Sequence, residues 1–236
     1  ERDEENNRDP SRARTRPDSI MDEDTYQPED PRPEETPPKL TFPDLLKWIF
    51  VDFVGFSRRY LTSAPPPLMY MAVWLIGMDA MAGGIELAYI SGQQYLVDNW
   101  FYAWLRIMGG GAAMGFFRYW LVGSIFHIVV VAAGGRGLAR TSRYILLYAL
   151  VPASVCNLTV KILQMLLYGN KYFTGQTNAV VEGFFGMVMM AAYVFTIVLC
   201  YRGMRSLQQT EKRRSILVLV GLTFGMLVLT TIAMGL

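Results

Sequence analysis

Leu68-Met69-Tyr70-Met71-Ala72-Val73-Trp74-Leu75-Ile76-Gly77-Met78-Asp79-Ala80-Met81-Ala82-Gly83-Gly84-Ile85-Glu86-Leu87-Ala88-Tyr89-Ile90 decides the fold of this chain. The stretch has two carboxylates and no basic side chain. A run of roughly 18 or more predominantly apolar residues is long enough, as a helix, to cross the hydrocarbon core of a bilayer. Ala64-Pro65-Pro66-Pro67 stands just before it and separates it from whatever precedes, because consecutive prolines cannot continue a helix.

The rest of the body repeats the theme. Apolar runs at Ala113–Ala133, Tyr144–Tyr168, Val180–Tyr201 and Ser215–Leu236 predict four further spans. Trp104–Gly111, with its three consecutive glycines, reads as an interfacial or irregular lead-in to the second span. Polar connections lie at Ser91–Tyr102, Gly169–Asn178 and Arg202–Arg214, and Gly134-Gly135-Arg136-Gly137 reads as a turn. The fold class is therefore all-α: a polytopic membrane protein with five transmembrane helices, preceded by an interfacial amphipathic helix.

That preceding helix is expected from Phe42 to about Leu61, within a segment 40–64. Thr41 and Asp44 are spaced as a capping box, with Leu40 and Leu45 at the staple positions. Asp44, Lys47, Asp52, Ser57, Arg58 and Arg59 gather on one side, and Leu45, Trp48, Ile49, Phe50, Phe53 and Phe56 cover the remainder. Aromatic bulk opposite basic residues suits a helix lying in the membrane interface.

Residues 1–39 are of another kind. The first 40 residues hold 13 acidic and 7 basic side chains, whereas the remaining 196 hold 7 acidic and 15 basic. Pro28, Pro31, Pro33, Pro37 and Pro38 block helix and central strand alike. Such a composition cannot build its own core, so the tail is expected to be extended and docked on a partner.

Charge placement orients the body. Lys47, Arg58 and Arg59, then Arg136, Arg140 and Arg143, then Arg202, Arg205, Lys212, Arg213 and Arg214 all fall on one side if residues 65–236 cross five times. The opposite connections offer Arg106 and Lys171. The positive-inside rule then predicts a cytoplasmic N-terminus and a C-terminus on the far face.

Ionisable groups inside spans are costly and each calls for a reason. Asp79 and Glu86, seven apart, share a helical face. Counted from the outer ends, Glu86 and Arg118 sit at similar depth and are expected to approach as a structural ion pair. For Asp79 the candidate partners are Lys161 and His127, or the carboxyl is protonated, since desolvation disfavours its charged form. Gly111 with Gly115, and Gly221 with Gly225, are small-xxx-small pairs suited to close helix packing.

Other chemistry finds little support. A single histidine, His127, excludes zinc sites that need two. Ser124 and His127 lie three apart on one helix and lack the elbow of a serine nucleophile. The glycine runs lack the Lys-Ser/Thr pair of a phosphate loop. Cys156 and Cys200 read as small core residues. No catalytic, cofactor or metal site is expected, and no nucleic-acid partner.

The order of parts resembles the Yip1-domain family. The carrying elements are Ala64-Pro65-Pro66-Pro67 before the first span and Trp120-Leu121-Val122-Gly123-Ser124 running to the Gly134–Gly137 turn. Tyr148-Ala149-Leu150-Val151-Pro152 follows, then Gly203-Met204-Arg205 before the last span. The resemblance covers about Leu40 to Leu236 and lies nearer the prokaryotic-type branch, because the Asp-Leu-Tyr-Gly-Pro-type signature of eukaryotic members is absent. It implies five spans, a cytoplasmic N-terminus, no enzyme activity and a bacterial inner-membrane setting. The expected role is a non-catalytic membrane scaffold or accessory subunit in contact with lipid and other integral membrane proteins. The alternative is a small transporter or channel using Asp79, Glu86 and Arg118.

Overall fold

The structure is a computed structural model that describes residues 40–62, 65–90, 100–169 and 178–221. The described residues all belong to the unit Pro38–Leu236. The expected tail conformation, Gly225 and most of the fifth expected span lie outside the described residues.

Helix α1 (Phe42–Val51) begins at Thr41 with both halves of the capping box formed. The Asp44 amide donates to Thr41 Oγ1 at 3.4 Å, and the Thr41 amide donates to Asp44 Oδ2 at 3.3 Å. Pro43 sits in the first turn, where its missing N–H costs nothing. The single helix expected from Phe42 to Leu61 is instead two. It breaks at Asp52, whose carboxylate accepts from the Gly55 amide at 2.8 Å and so starts α2 (Phe53–Tyr60). An Asp whose carboxylate accepts from a first-turn amide is a strong N-cap, and here it outweighs continuation of α1.

The apolar side of this pair faces protein. Leu45, Ile49, Phe53, Phe56 and Tyr60 recur at spacings of four and three, a narrow stripe. They are buried in one core with Ile145, Leu147, Tyr148, Leu199 and Met204. Phe56 meets Tyr148 edge-on at 5.2 Å, and Phe50 stacks on Phe195 at 5.3 Å.

Four longer elements follow. They are α3 (Met69–Ile90), α4 (Trp100–Phe117) leading through a π-helical turn (Arg118–Val122) into α5 (Gly123–Ala132), α6 (Ala139–Tyr168) and α7 (Ala179–Leu207). A further helical stretch covers 212–221. Among the described residues, three helices are long and apolar enough to cross a membrane: Phe101–Ala132, Ala139–Tyr168 and Ala179–Leu207. Helix α3 has the length, 22 residues, or about 33 Å of axis, but carries Asp79 and Glu86. The lead-in expected at Trp104–Gly111 is regular helix. Where lipid cannot bond the backbone, a glycine run stays helical rather than leave its amides unsatisfied.

Helix α6 is the hub, touching α3, α5 and α7, while α3 lies antiparallel against α4. The α3–α4 crossing is backbone on backbone. A Cβ on Gly77 would lie 1.7 Å from the Gly111 carbonyl oxygen and 2.4 Å from the Gly115 nitrogen, and one on Gly115 would lie 2.0 Å from the Val73 oxygen. A Cβ on Gly221 would meet nothing within 4 Å.

At the opposite end of the bundle from the α6–α7 connection, two basic turns are tied together. Gly134 takes the left-handed conformation, φ 81°, that reverses the chain after α5. The Arg136 amide donates to the Gln208 carbonyl at 3.2 Å, Gln208 Nε2 donates to the Leu138 carbonyl at 3.4 Å, and the Glu211 amide donates to the Ala133 carbonyl at 3.4 Å.

Candidate functional site

The polar residues of α6 define the site. Ser154, Asn157, Lys161 and Gln164 are spaced three, four and three, which places them on one helical face. All four are buried in the largely apolar part of the helix that follows Arg143. Facing them are Asp79 and Glu86 of α3, two turns apart.

Asp79 is the best satisfied. Its Oδ2 accepts from Ser154 Oγ at 3.1 Å, its Oδ1 accepts from Asn157 Nδ2, and Arg118 Nη1 stands 3.6 Å from Oδ2. The same Arg118 nitrogen donates to the Ile76 carbonyl at 3.1 Å. Arg118 opens the π-helical turn, whose wider ring is closed by the Gly123 amide donating back to the Arg118 carbonyl. One turn-pair along α3, Glu86 is paired with Lys161. Further along α6, Gln164 Nε2 donates to Glu182 Oε2 at 2.7 Å, linking α6 to α7.

Arg118 therefore meets Asp79, and Glu86 meets Lys161; the expected approach of Glu86 to Arg118 does not occur. The reason is register. Helix α4 starts at Trp100, well before the expected span start at Ala113, so Arg118 lies about 27 Å along the helix and reaches the level of Ile76 and Asp79. His127 stands elsewhere, with Nδ1 3.0 Å from Ser142 Oγ. The hydroxyl and amide partners Ser154, Asn157 and Gln164, with Glu182, were not singled out from the sequence. Their periodic spacing inside α6 is the signal that marks them.

Chemically, the arrangement sets two cations and three carboxylates against one another. Each carboxylate has a donor within the chain, which offsets the desolvation that an isolated charge would suffer. Among the described residues no group of three His, Cys, Asp or Glu side chains could hold a metal. Cys156 and Cys200 are free thiols.

The family model of the Yip1 domain matches residues 47–234. The chain belongs to the Yip1-domain family. No curated protein and no solved structure matches it. The Yip1 domain thus takes in α2 through α7 entire, the second half of α1 and the stretch beyond α7, and both the α3–α4 glycine crossing and the polar face of α6 lie inside it.

Proposed function

We propose that this Yip1-domain protein is a non-catalytic integral membrane scaffold or accessory subunit. The observation that carries the reading is the satisfaction of Asp79 by Ser154, Asn157 and Arg118. Ionisable groups inside a membrane mark either a pathway or a bond between helices. Here the acceptors of the deepest carboxylate face donors from two helical segments, α6 and the π-helical turn, which favours the bond. Glu86 and Lys161 follow the same pattern.

In this reading the body crosses the bilayer five times, with the N-terminus and the basic turns in the cytoplasm. The hydrogen bonds joining 133–138 to 208–211 support it, because they gather Arg136, Arg205, Arg214 and their neighbours at one end. The α1–α2 pair lies at that membrane surface, with Phe50 and Val51 exposed towards lipid. The apolar outer faces of α5 and α7 meet lipid and other integral membrane proteins, and residues 1–39 dock on a partner.

The test is affinity purification of the full chain from its own membranes in mild detergent, beside a form lacking residues 1–39. A stoichiometric membrane-protein partner lost on truncation is the expected result. A full chain that purifies alone, with the truncated form indistinguishable from it, contradicts the reading.

A further inference from the structure

We infer that Arg143, Trp120 and Ser124 form a binding site for the phosphate of one anionic phospholipid. The three side chains meet where α6 begins to cross the π-helical turn and α5. The Arg143 guanidinium lies over the Trp120 ring, 4.0 Å from its centroid, and Nη2 donates to Ser124 Oγ at 3.2 Å. The floor is Gly123. A Cβ there would stand 2.8 Å from Arg143 Cγ and 3.3 Å from Arg143 Cβ, so the arginine stem lies flat on α5 only because position 123 is glycine.

The guanidinium is held rigidly but is only partly used. Its Nε is buried with no protein acceptor. A cavity of about 10 Å³ lies beside it, lined by Arg118, Tyr119, Gly123 and Arg143 and otherwise by apolar side chains of α3, the π-helical turn and α6, which is room for about one oxygen atom. A fixed planar fork with spare donors matches phosphate geometry. Arg140, one turn earlier on α6 and exposed, adds a second cation on the same side.

The surroundings point to a lipid rather than a soluble anion. Phe116, Phe117, Trp120 and Leu121 are about half exposed or more, and they continue from the guanidinium as an apolar track for an acyl chain. Arg143 lies four residues into α6, about 6 Å along its axis, which puts it near the headgroup level of the leaflet that faces the basic turns. Anionic headgroups are drawn to basic pockets between helices at that level, and a tryptophan ring belongs there too.

The test is native mass spectrometry of the full chain in detergent with added phosphatidylglycerol or phosphatidylcholine. Wild type should retain one phosphatidylglycerol in preference to phosphatidylcholine. Arg143→Gln should lower that preference about tenfold, as expected for loss of a charge-assisted fork. Arg213→Gln, at an exposed basic position away from the site, should leave it unchanged. Should Arg143→Gln aggregate, Trp120→Leu keeps every charge and decides the matter by the same ratio. Equal retention of the two lipids by wild type, or an unchanged preference in both site variants, overturns the proposal. So does inorganic phosphate displacing the bound lipid at equal concentration, because the site would then be one for a soluble anion.

Discussion

Arg118 Nη1 stands 3.6 Å from Asp79 Oδ2 and 3.1 Å from the Ile76 carbonyl, so one guanidinium joins the π-helical turn to both the side chain and the backbone of α3. Removing the arginine leaves a buried carboxylate with only Ser154 and Asn157 for donors. Arg118→Met should cost about 3 kcal/mol, or roughly 6–12 °C in thermal midpoint for a chain of this size. Adding Asp79→Asn to it should recover part of that loss. Thermal unfolding in detergent measures both, and additivity of the two single changes would show that the residues are not coupled.

The second pair is asymmetric. The Lys161 side chain is 8% exposed and that of Glu86 is 46% exposed. Glu86→Leu strands a buried ammonium and should cost about 3 kcal/mol. Lys161→Leu leaves a carboxylate that the protein only half covers and should cost clearly less. Equal losses in the same melting assay would contradict the burial difference.

The α3–α4 crossing yields a steric prediction. Gly77→Ala drives a methyl into the Gly111 carbonyl and should destabilise by about 1–3 kcal/mol. Gly83→Ala, where a Cβ meets nothing within 4 Å, should be neutral or gain about 0.5–1 kcal/mol from helix propensity. Parallel melting curves of the two variants give the comparison.

At the start of α1 the prediction is one of pH. Hydrogen bonds from the Thr41 side chain and amide hold the Asp44 carboxyl below the ordinary aspartate value of 3.8. A carboxyl lowered in the folded state stabilises fully above its unfolded value, and that stabilisation is lost as pH falls through the folded value. Amide protection at Leu45 to Ile49 should be flat at neutral pH and should decline below about pH 4. Hydrogen exchange measures it, and Thr41→Ala, which removes the hydroxyl and keeps the amide donor, should weaken the pH dependence.

Much of this architecture is legible in the residues. Hydropathy and the polar connection place the end of α6 and the start of α7 to within a residue, because long apolar runs bounded by Gly169 and Asn178 admit few alternatives, while the basic far ends of both helices extend five and six residues beyond the apolar runs. The capping box at Thr41 and Asp44 is read directly. Elsewhere local signals mislead. Gly109-Gly110-Gly111 looks like a helix breaker in water, yet glycine is a packing residue where backbones must touch, and α4 runs through it. The later start expected for that span, Ala113 rather than Trp100, carries over to the depth of Arg118, and so to its partner. Asp52 carries two readings, polar face or N-cap, and the choice depends on Phe53 and Phe56 finding Tyr148 and Met204 across the core, which no local pattern reveals.

The scaffold reading stands or falls on whether the polar face of α6 conducts. The most direct measurement is proton and cation flux into proteoliposomes holding the purified full chain. The expected result is flux no greater than in protein-free vesicles, for wild type and for Asp79→Asn alike. A flux that wild type supports and Asp79→Asn abolishes would contradict it and make Asp79, Arg118 and Glu86 a transport path.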